Sequence, residues 1–302
     1  MLRAALGCDG AALSWERIGG QAHEGTVGVY RIAGAPEPVV VKLMRPGEDE
    51  RLCAQVALEL SVYEDDALRG DVRPARCLGR IDPHEGVFGV VLEDLSKVHV
   101  VPWDEARYLA AARALGEFQR AWTGREHGYD GRSAIRSVCS VPVIVDAIAG
   151  LDRTALSSAR FFAAWDARFE LFASLDRLPS VLSHGDFHNE NVFVVSEREA
   201  VAIDWAYAGP GALGEDLGCL YTSDFVFGRM DVADWVALEE PIFDAYGGGD
   251  ATLLRTFRLT AGFDAGVRLV FSMARGEAPT DLHERLDAVE RLLAEGEPGG
   301  RI

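Results

Sequence analysis

A chain of 302 residues is long enough for one large domain or for two lobes around a shared cleft. With 48% hydrophobic and 26% charged residues it has an ordinary globular composition, and no run of about 18 apolar residues suits a membrane span. A net charge of −18 disfavours nucleic acid and anionic membranes as partners, and leaves a cationic small molecule open. The five scattered cysteines (Cys8, Cys53, Cys77, Cys139, Cys219) include no CxxC pair, which speaks against a zinc site or a disulfide framework. A reducing cytoplasm fits that usage. The opening MLRAALGCDG is similar to a lipoprotein cleavage box at Cys8, but its apolar region is too short for a leader.

The first third of the chain reads as strands. WERIGG, GVYRIA and PVVVKLM are short β-prone runs broken by Gly and Gly-Ala-Pro, the pattern of an antiparallel meander. Between the first two lies IGGQAHEGTVGVY, whose Gly19, Gly20, Gly25 and Gly28 would let backbone approach a phosphate closely. Lys42 follows VVV on the next strand and is placed either to reach solvent or to enter a cleft. ERLCAQVALELSVYEDDAL then sets Leu52, Val56, Leu60, Tyr63 and Ala67 at helical steps, with Glu59 at the buried edge, within reach of Lys42. GVFGVVLEDL is a further strand, and its end marks a joint near residues 93 to 101, where a ligand cleft is expected.

From about residue 103 the pattern is helical. WDEARYLAAARALGEFQRAW and SSARFFAAWDARFELFASLDRL read as two long amphipathic helices, the second with Phe161, Phe162, Trp165, Phe169 and Phe172 as a core stripe. DVADWVALEE reads as a helix interrupted at Pro241, and helices resume over about 252 to 274 and 281 to 294.

One stretch departs from this pattern. VLSHGDFHNENVFVVSEREAVAIDWA, residues 181 to 206, places His184, Asp186, His188, Asn189, Glu190 and Asn191 beside two apolar runs, and Asp204 after them. Unpaired carboxylates and imidazoles are expensive to bury, so the stretch is either a solvated loop or a ligand site. Read as a hairpin of Val192 to Val195 and Ala200 to Ile203 centred on SERE, it sets Asn191 opposite Asp204 at its open end. Two oxygen donors held side by side suit Mg²⁺. Asp186, in the entering loop, is then positioned to accept the proton of a substrate hydroxyl. A rival reading takes His184, Asp186 and His188 as a hydrolase metal site, which would need further histidines nearby.

The glycine-rich hairpin, VVVKL, the helical glutamate, VLEDL, HGDFHNEN and IDW together resemble the aminoglycoside phosphotransferase and choline kinase-like family, over about residues 15 to 220. The resemblance implies an α+β, bilobal protein-kinase-like fold, with a small β-rich nucleotide-binding lobe (1–95) and a larger, mainly helical catalytic and substrate-binding lobe (96–302). It implies Asp186 as catalytic base, Asn191 and Asp204 as Mg²⁺ ligands, and Lys42 with Glu59 as the ion pair positioning phosphate. Glu93 and Leu95 would hold adenine through their backbone. Gly19, Gly20, Gly25, Thr26 and His188 complete the candidate nucleotide contacts, and Asp216 of GALGEDLG would hold the catalytic loop. HNEN stands where many relatives have His-Pro-Gly-Asn, and Ala206 where an acid is common.

The expected activity is ATP- and Mg²⁺-dependent phosphorylation of a small-molecule hydroxyl, with GTP as the alternative donor and an antibiotic as the favoured acceptor. Asp224, Asp231, Asp234, Glu239, Glu240 and Asp244 are candidates to line a pocket for amines. The alternatives are a metabolic kinase for choline, an amino-alcohol or a sugar, and a non-catalytic nucleotide-binding module. No Ala-Pro-Glu segment follows Asp204, which argues against a protein kinase. The oligomeric state is left open.

Overall fold

The computed structural model describes residues 13–19, 26–35, 37–45, 47–84, 86–156 and 158–296. Runs of β-branched residues form β1 (Ser14–Gly19), β2 (Thr26–Ala33) and β3 (Val39–Met44). After α1 (Glu50–Glu64) and β4 (Val72–Pro74) come β5 (Cys77–His84) and β6 (Val87–Glu93). Five of these strands make an antiparallel sheet in the order β1-β2-β3-β6-β5. The two-residue period of β3 divides its side chains between the faces. Val39 and Val41 join Ile32 and Val91 in a small apolar cluster, whereas Lys42, opposite Val90, faces α1.

Helix α1 starts where Asp49 accepts the N–H groups of Arg51 and Leu52. It buries Val56, Glu59, Val62 and Tyr63. The expected stripe runs one residue type too far: Ala67 lies beyond the helix and is exposed.

The second lobe contains α2 (Glu105–Trp122), α3 (Ala134–Val138), α4 (Pro142–Ala149), α5 (Ala159–Asp166) and α6 (Arg168–Leu175). Short strands β7 (Ser180–Ser183), β8 (Val192–Val194), β9 (Ala200–Ala202) and β10 (Gly209–Ala212) follow, then α7 (Glu215–Val226), α8 (Val232–Ala245), α9 (Ala251–Ala274) and α10 (Leu282–Gly296). Its core is aromatic: the Phe225 and Trp235 rings stack at 3.7 Å, and Tyr221 stacks on Trp235 at 4.7 Å. No helix among the described residues is long and apolar enough to cross a membrane.

Two helices differ from the sequence expectation. The expected single helix over 157–178 breaks at Ala167 (φ −95°, ψ 17°), which shifts the phase of its second half. Phe169 consequently leaves the stripe and stands 54% exposed, with the Arg168 guanidinium 4.5 Å over its ring. Pro241 does not interrupt α8; Trp235, Leu238, Ile242 and Phe243 are buried on both sides of it and keep the axis continuous despite the missing N–H.

The lobes also share a sheet. Strand β4 pairs in parallel with β9, Val72 opposite Ala200 and Pro74 opposite Ala202, and β9 pairs on its other side with β8. Helices α7 and α9 cross closely at Gly218, where a Cβ would stand 2.5 Å from Thr260 Oγ1 and 2.8 Å from the Ala261 nitrogen. Gly218→Ala is therefore expected to destabilise the protein by about 1–3 kcal/mol, seen as a lower thermal midpoint. An unchanged midpoint would contradict the close approach.

Candidate active site

The hairpin at the centre of the sequence motif closes on a three-residue turn. The Glu199 carbonyl accepts the N–H of Val195 (2.9 Å) and of Ser196 (3.2 Å), leaving Ser196–Arg198 as the loop. Val192 therefore opposes Ala202, and the Ile203 N–H donates to the Asn191 carbonyl at 2.9 Å. The register expected from a four-residue turn is wrong by one: Asn191 faces Ile203, and Asp204 lies one residue past the pair.

Asp204 leaves the strand with a left-handed backbone, φ 63°. That conformation costs a non-glycine residue about 1–3 kcal/mol and persists where neighbours enforce it. Here the Asp204 N–H donates to the Tyr63 hydroxyl at 3.1 Å, and that hydroxyl donates to Glu59 Oε1 at 3.1 Å. Lys42 Nζ completes the cluster, 2.7 and 2.8 Å from the two Glu59 oxygens and 2.9 Å from Asp204 Oδ1. Burial opposes the Lys42 charge, yet the carboxylates of Asp204 and Glu59 hold its ammonium above the usual range. Lys42 in turn draws Asp204 below the ordinary carboxylate range. Glu59 is pushed up by burial, against the pull of Lys42.

The loop from His184 to Asn191 hangs on a carboxylate. Asp216 Oδ2 accepts the N–H of His184 (2.8 Å) and its Oδ1 that of Gly185 (3.0 Å), while Gln119 Nε2 also donates to it at 3.0 Å. Gly185 has φ 83°, and a Cβ there would lie 2.5 Å from the Tyr207 carbonyl oxygen. His184 is fully buried, and burial lowers its pKa to about 4. Its Nδ1 accepts the Asp186 N–H at 3.2 Å, which assigns the proton to Nε2, 2.9 Å from the Ile203 carbonyl. Both ring nitrogens are engaged, and among the described residues no three His, Cys, Asp or Glu side chains could hold a metal together. The HxDxH metal reading falls.

Asp186 is presented by this loop. Asn191 Nδ2 donates to its carbonyl (3.1 Å) and to its Oδ2 (3.2 Å), with His188 Nε2 3.4 Å from the same oxygen. From α9, Arg268 Nη2 approaches Oδ1 to 3.5 Å. Although burial opposes it, the surrounding His188, Arg268 and His184 hold the carboxyl far below its usual range. The Asn191 amide thus faces Asp186 with its nitrogen, which leaves its oxygen to another partner.

The remaining candidates lie around this centre. Glu93 has its carboxylate on Arg73 Nη1 (2.6 Å) and the Arg76 N–H (2.7 Å), and its own N–H donates to the Arg76 carbonyl at 3.1 Å. The Leu95 carbonyl accepts the N–H of Val98 (3.0 Å) and of His99 (3.1 Å). Gly19 ends β1 and Thr26 begins β2, on either side of residues 20–25; Gly20 and Gly25 lie outside the described residues.

A family model described as the phosphotransferase enzyme family matches residues 22–256. The chain belongs to that family. Solved structures share the kinase-like fold of this phosphotransferase at low identity. An amicoumacin kinase in complex with AMP-PNP and Ca²⁺ is 11% identical, covering 94% of this chain and 89% of its own, with a TM-score of 0.57. A choline kinase from Streptococcus pneumoniae is 16% identical with 97% of each chain covered and a TM-score of 0.55. An aminoglycoside phosphotransferase in complex with ADP and hygromycin B is 14% identical, covers 98% of each chain and has a TM-score of 0.55. No curated protein matches the chain.

Three polar residues of the phosphotransferase site escaped the sequence reading. Tyr63 stood there only as part of an apolar stripe, although a buried tyrosine hydroxyl needs a partner. Arg268 and Asp264 lie four apart on α9 among buried Phe263, Ala265, Val267 and Leu269, and charge inside such a run was the available signal.

Tyr63→Phe removes the bridge between Glu59 and the Asp204 N–H. A loss of about 1–3 kcal/mol in urea unfolding is expected, and a variant of wild-type stability would show the bridge to be idle. Because His184 is neutral in the fold at a pH where the unfolded imidazole is charged, its contribution is complete above about pH 6.5. It is lost as pH falls toward about 4, to a limit of about 3 kcal/mol. Asp216, raised by burial to about 6, acts oppositely between about pH 4 and 6, since the fold then binds its proton more tightly. In thermal unfolding at a series of pH values, His184→Gln should flatten the acid decline; an identical slope would refute the assignment.

Proposed function

We propose that this phosphotransferase is ATP- and Mg²⁺-dependent, works in the cytoplasm, and phosphorylates a hydroxyl of a natural-product antibiotic. The reading rests on one observation: Lys42 and Glu59 pair up with Asp204, and Asp204 is near enough to feel the charge of Asp186, which Asn191 holds.

In this reading Lys42, held by Glu59, contacts the nucleotide phosphates, with Gly19 and Thr26 as further candidate contacts. The backbone at Glu93 and Leu95 holds the base. The donor set fits a hard cation: the Asp204 side chain is 46% exposed to the cleft, and the Asn191 amide oxygen is left unengaged by its nitrogen's bonds to Asp186. Asn191 and Asp204 would hold Mg²⁺, which supplies neutralisation of phosphate charge. Asp186 accepts the acceptor's hydroxyl proton as that oxygen bonds to the terminal phosphorus and the bond to the nucleoside diphosphate breaks. A carboxylate so weakly basic takes the proton late, and its main contribution is to orient the hydroxyl, as a loose phosphoryl transition state requires. His188, bonded around Asp186 and Asn191, keeps those two side chains in place.

Solved neighbours named for amicoumacin, hygromycin B, streptomycin and kanamycin support the antibiotic class, beside others named for choline and aminopropanol. Three of the six acids expected to bind amines are engaged elsewhere. Asp224 is buried against the Trp103 N–H and the Tyr108 hydroxyl, Glu239 pairs with Arg258 and Arg291, and Asp231 caps α8. That favours an antibiotic without a dense array of amines over an aminoglycoside.

Mass spectrometry of a compound library incubated with enzyme and Mg²⁺-ATP, then with Mg²⁺-GTP, should reveal acceptors that gain one phosphoryl group. Asp186→Asn is expected to lower turnover by about 10²–10⁴-fold with nucleotide binding retained. Turnover equal to wild type would remove its role as base, and nucleotide binding with no acceptor turned over would return the chain to a non-catalytic module. Asp204→Asn keeps a residue type that tolerates the left-handed backbone, so its fold should persist while nucleotide affinity loses its Mg²⁺ dependence. Wild-type Mg²⁺ dependence would exclude Asp204 as a ligand.

A further inference from the structure

The guanidinium beside Asp186 is built in from two helices. Arg268 Nε bonds both Asp264 oxygens, at 3.1 and 3.0 Å, and the Thr222 hydroxyl of α7 donates to Asp264 Oδ2 at 2.7 Å. Asp264 is buried, so the clamp is fixed at its base, while the Arg268 side chain keeps 30% exposure. Its Nη2 reaches Asp186 Oδ1 only at 3.5 Å, an ion-pair distance too long for a good hydrogen bond. Beside the two groups lies a cavity of about 20 Å³ between the catalytic loop, α7 and α9, lined by Asp186, Asp264, Arg268 and Thr260.

We propose that Arg268 is the specificity-determining residue of the acceptor site, and that it selects an acceptor carrying a carboxylate or phosphate beside the hydroxyl that is phosphorylated. The inference rests on the reading of Asp186 as proton acceptor. A cation this close to the base weakens it, and a purely structural clamp would close to hydrogen-bonding distance. A planar guanidinium held by Nε has both Nη groups directed outward, the geometry that meets an oxyanion in two parallel bonds. When the acceptor's anion takes those donors, the attraction of Arg268 for Asp186 is shared, and the carboxylate turns to the neighbouring hydroxyl. A polycation would instead meet the guanidinium with like charge.

Two matched pairs, D-gluconate against sorbitol and D-glycerate against glycerol, test this by calorimetric binding to the Mg²⁺-ADP-loaded protein. The acids should bind saturably and the neutral partners at least about 10-fold more weakly. Arg268→Gln should remove that preference, and Arg268→Lys, which keeps a cation beside buried Asp264, should restore part of it, with nucleotide affinity close to wild type in both. Asp186→Asn should bind the acids more tightly, because the competing carboxylate is gone; a merely structural arginine would not produce that gain. Equal binding of acid and neutral partner, or acid binding unchanged in Arg268→Gln, overturns the proposal. Failure of the reading of Asp186 as proton acceptor is seen separately, as turnover that survives Asp186→Asn.

Discussion

The ammonium of Lys42 is the point on which the site's architecture turns. Its two carboxylate partners come from different parts of the chain, Glu59 from α1 and Asp204 from the end of β9. Glu59 is 2% exposed, and a carboxylate so deeply placed is tolerated only with a partner at hydrogen-bonding distance. Removing one member of such a pair typically costs about 3–5 kcal/mol, because the other charge is left buried alone. Tyr63 extends the constraint from side chain to backbone, since its hydroxyl joins Glu59 to the main-chain nitrogen of Asp204. Sheet, helix and hairpin end are thus fixed relative to one another by a handful of polar contacts.

The catalytic loop obeys a different rule. Residues 184–191 lack strand partners, so their backbone donors need other acceptors. Asp216, at the start of α7, takes two consecutive N–H groups, and His184 uses its ring to take a third. Gly185 makes this possible, because only a residue without Cβ fits between the loop and Tyr207. The loop is therefore held in place without being regular.

Much of this was legible in the sequence where a period decides the outcome. The helical period put Glu59 on the buried side of α1, within reach of the lysine that ends VVV. The two-lobed α+β order was visible as a change from strand to helical pattern near residue 103. What stayed hidden depends on single backbone angles or on distant chain. SERE does not announce a three-residue turn, and that one residue decides what Asn191 faces. The left-handed Asp204 is stabilised by Tyr63, 141 positions away. The break at Ala167 and the continuity through Pro241 follow from packing around them, against local propensity. Arg268 lay in a helix read only as amphipathic, and its meaning arises from Asp186 across the fold.

The three residues of β4 impose a condition on how the molecule can be divided. They belong in sequence to the N-terminal, β-rich half, yet they cover one side of β9, the strand that leads into Asp204. A fragment beginning near residue 96 would lose that neighbour, leaving the inner strand of the small sheet with open N–H and C=O groups at its edge.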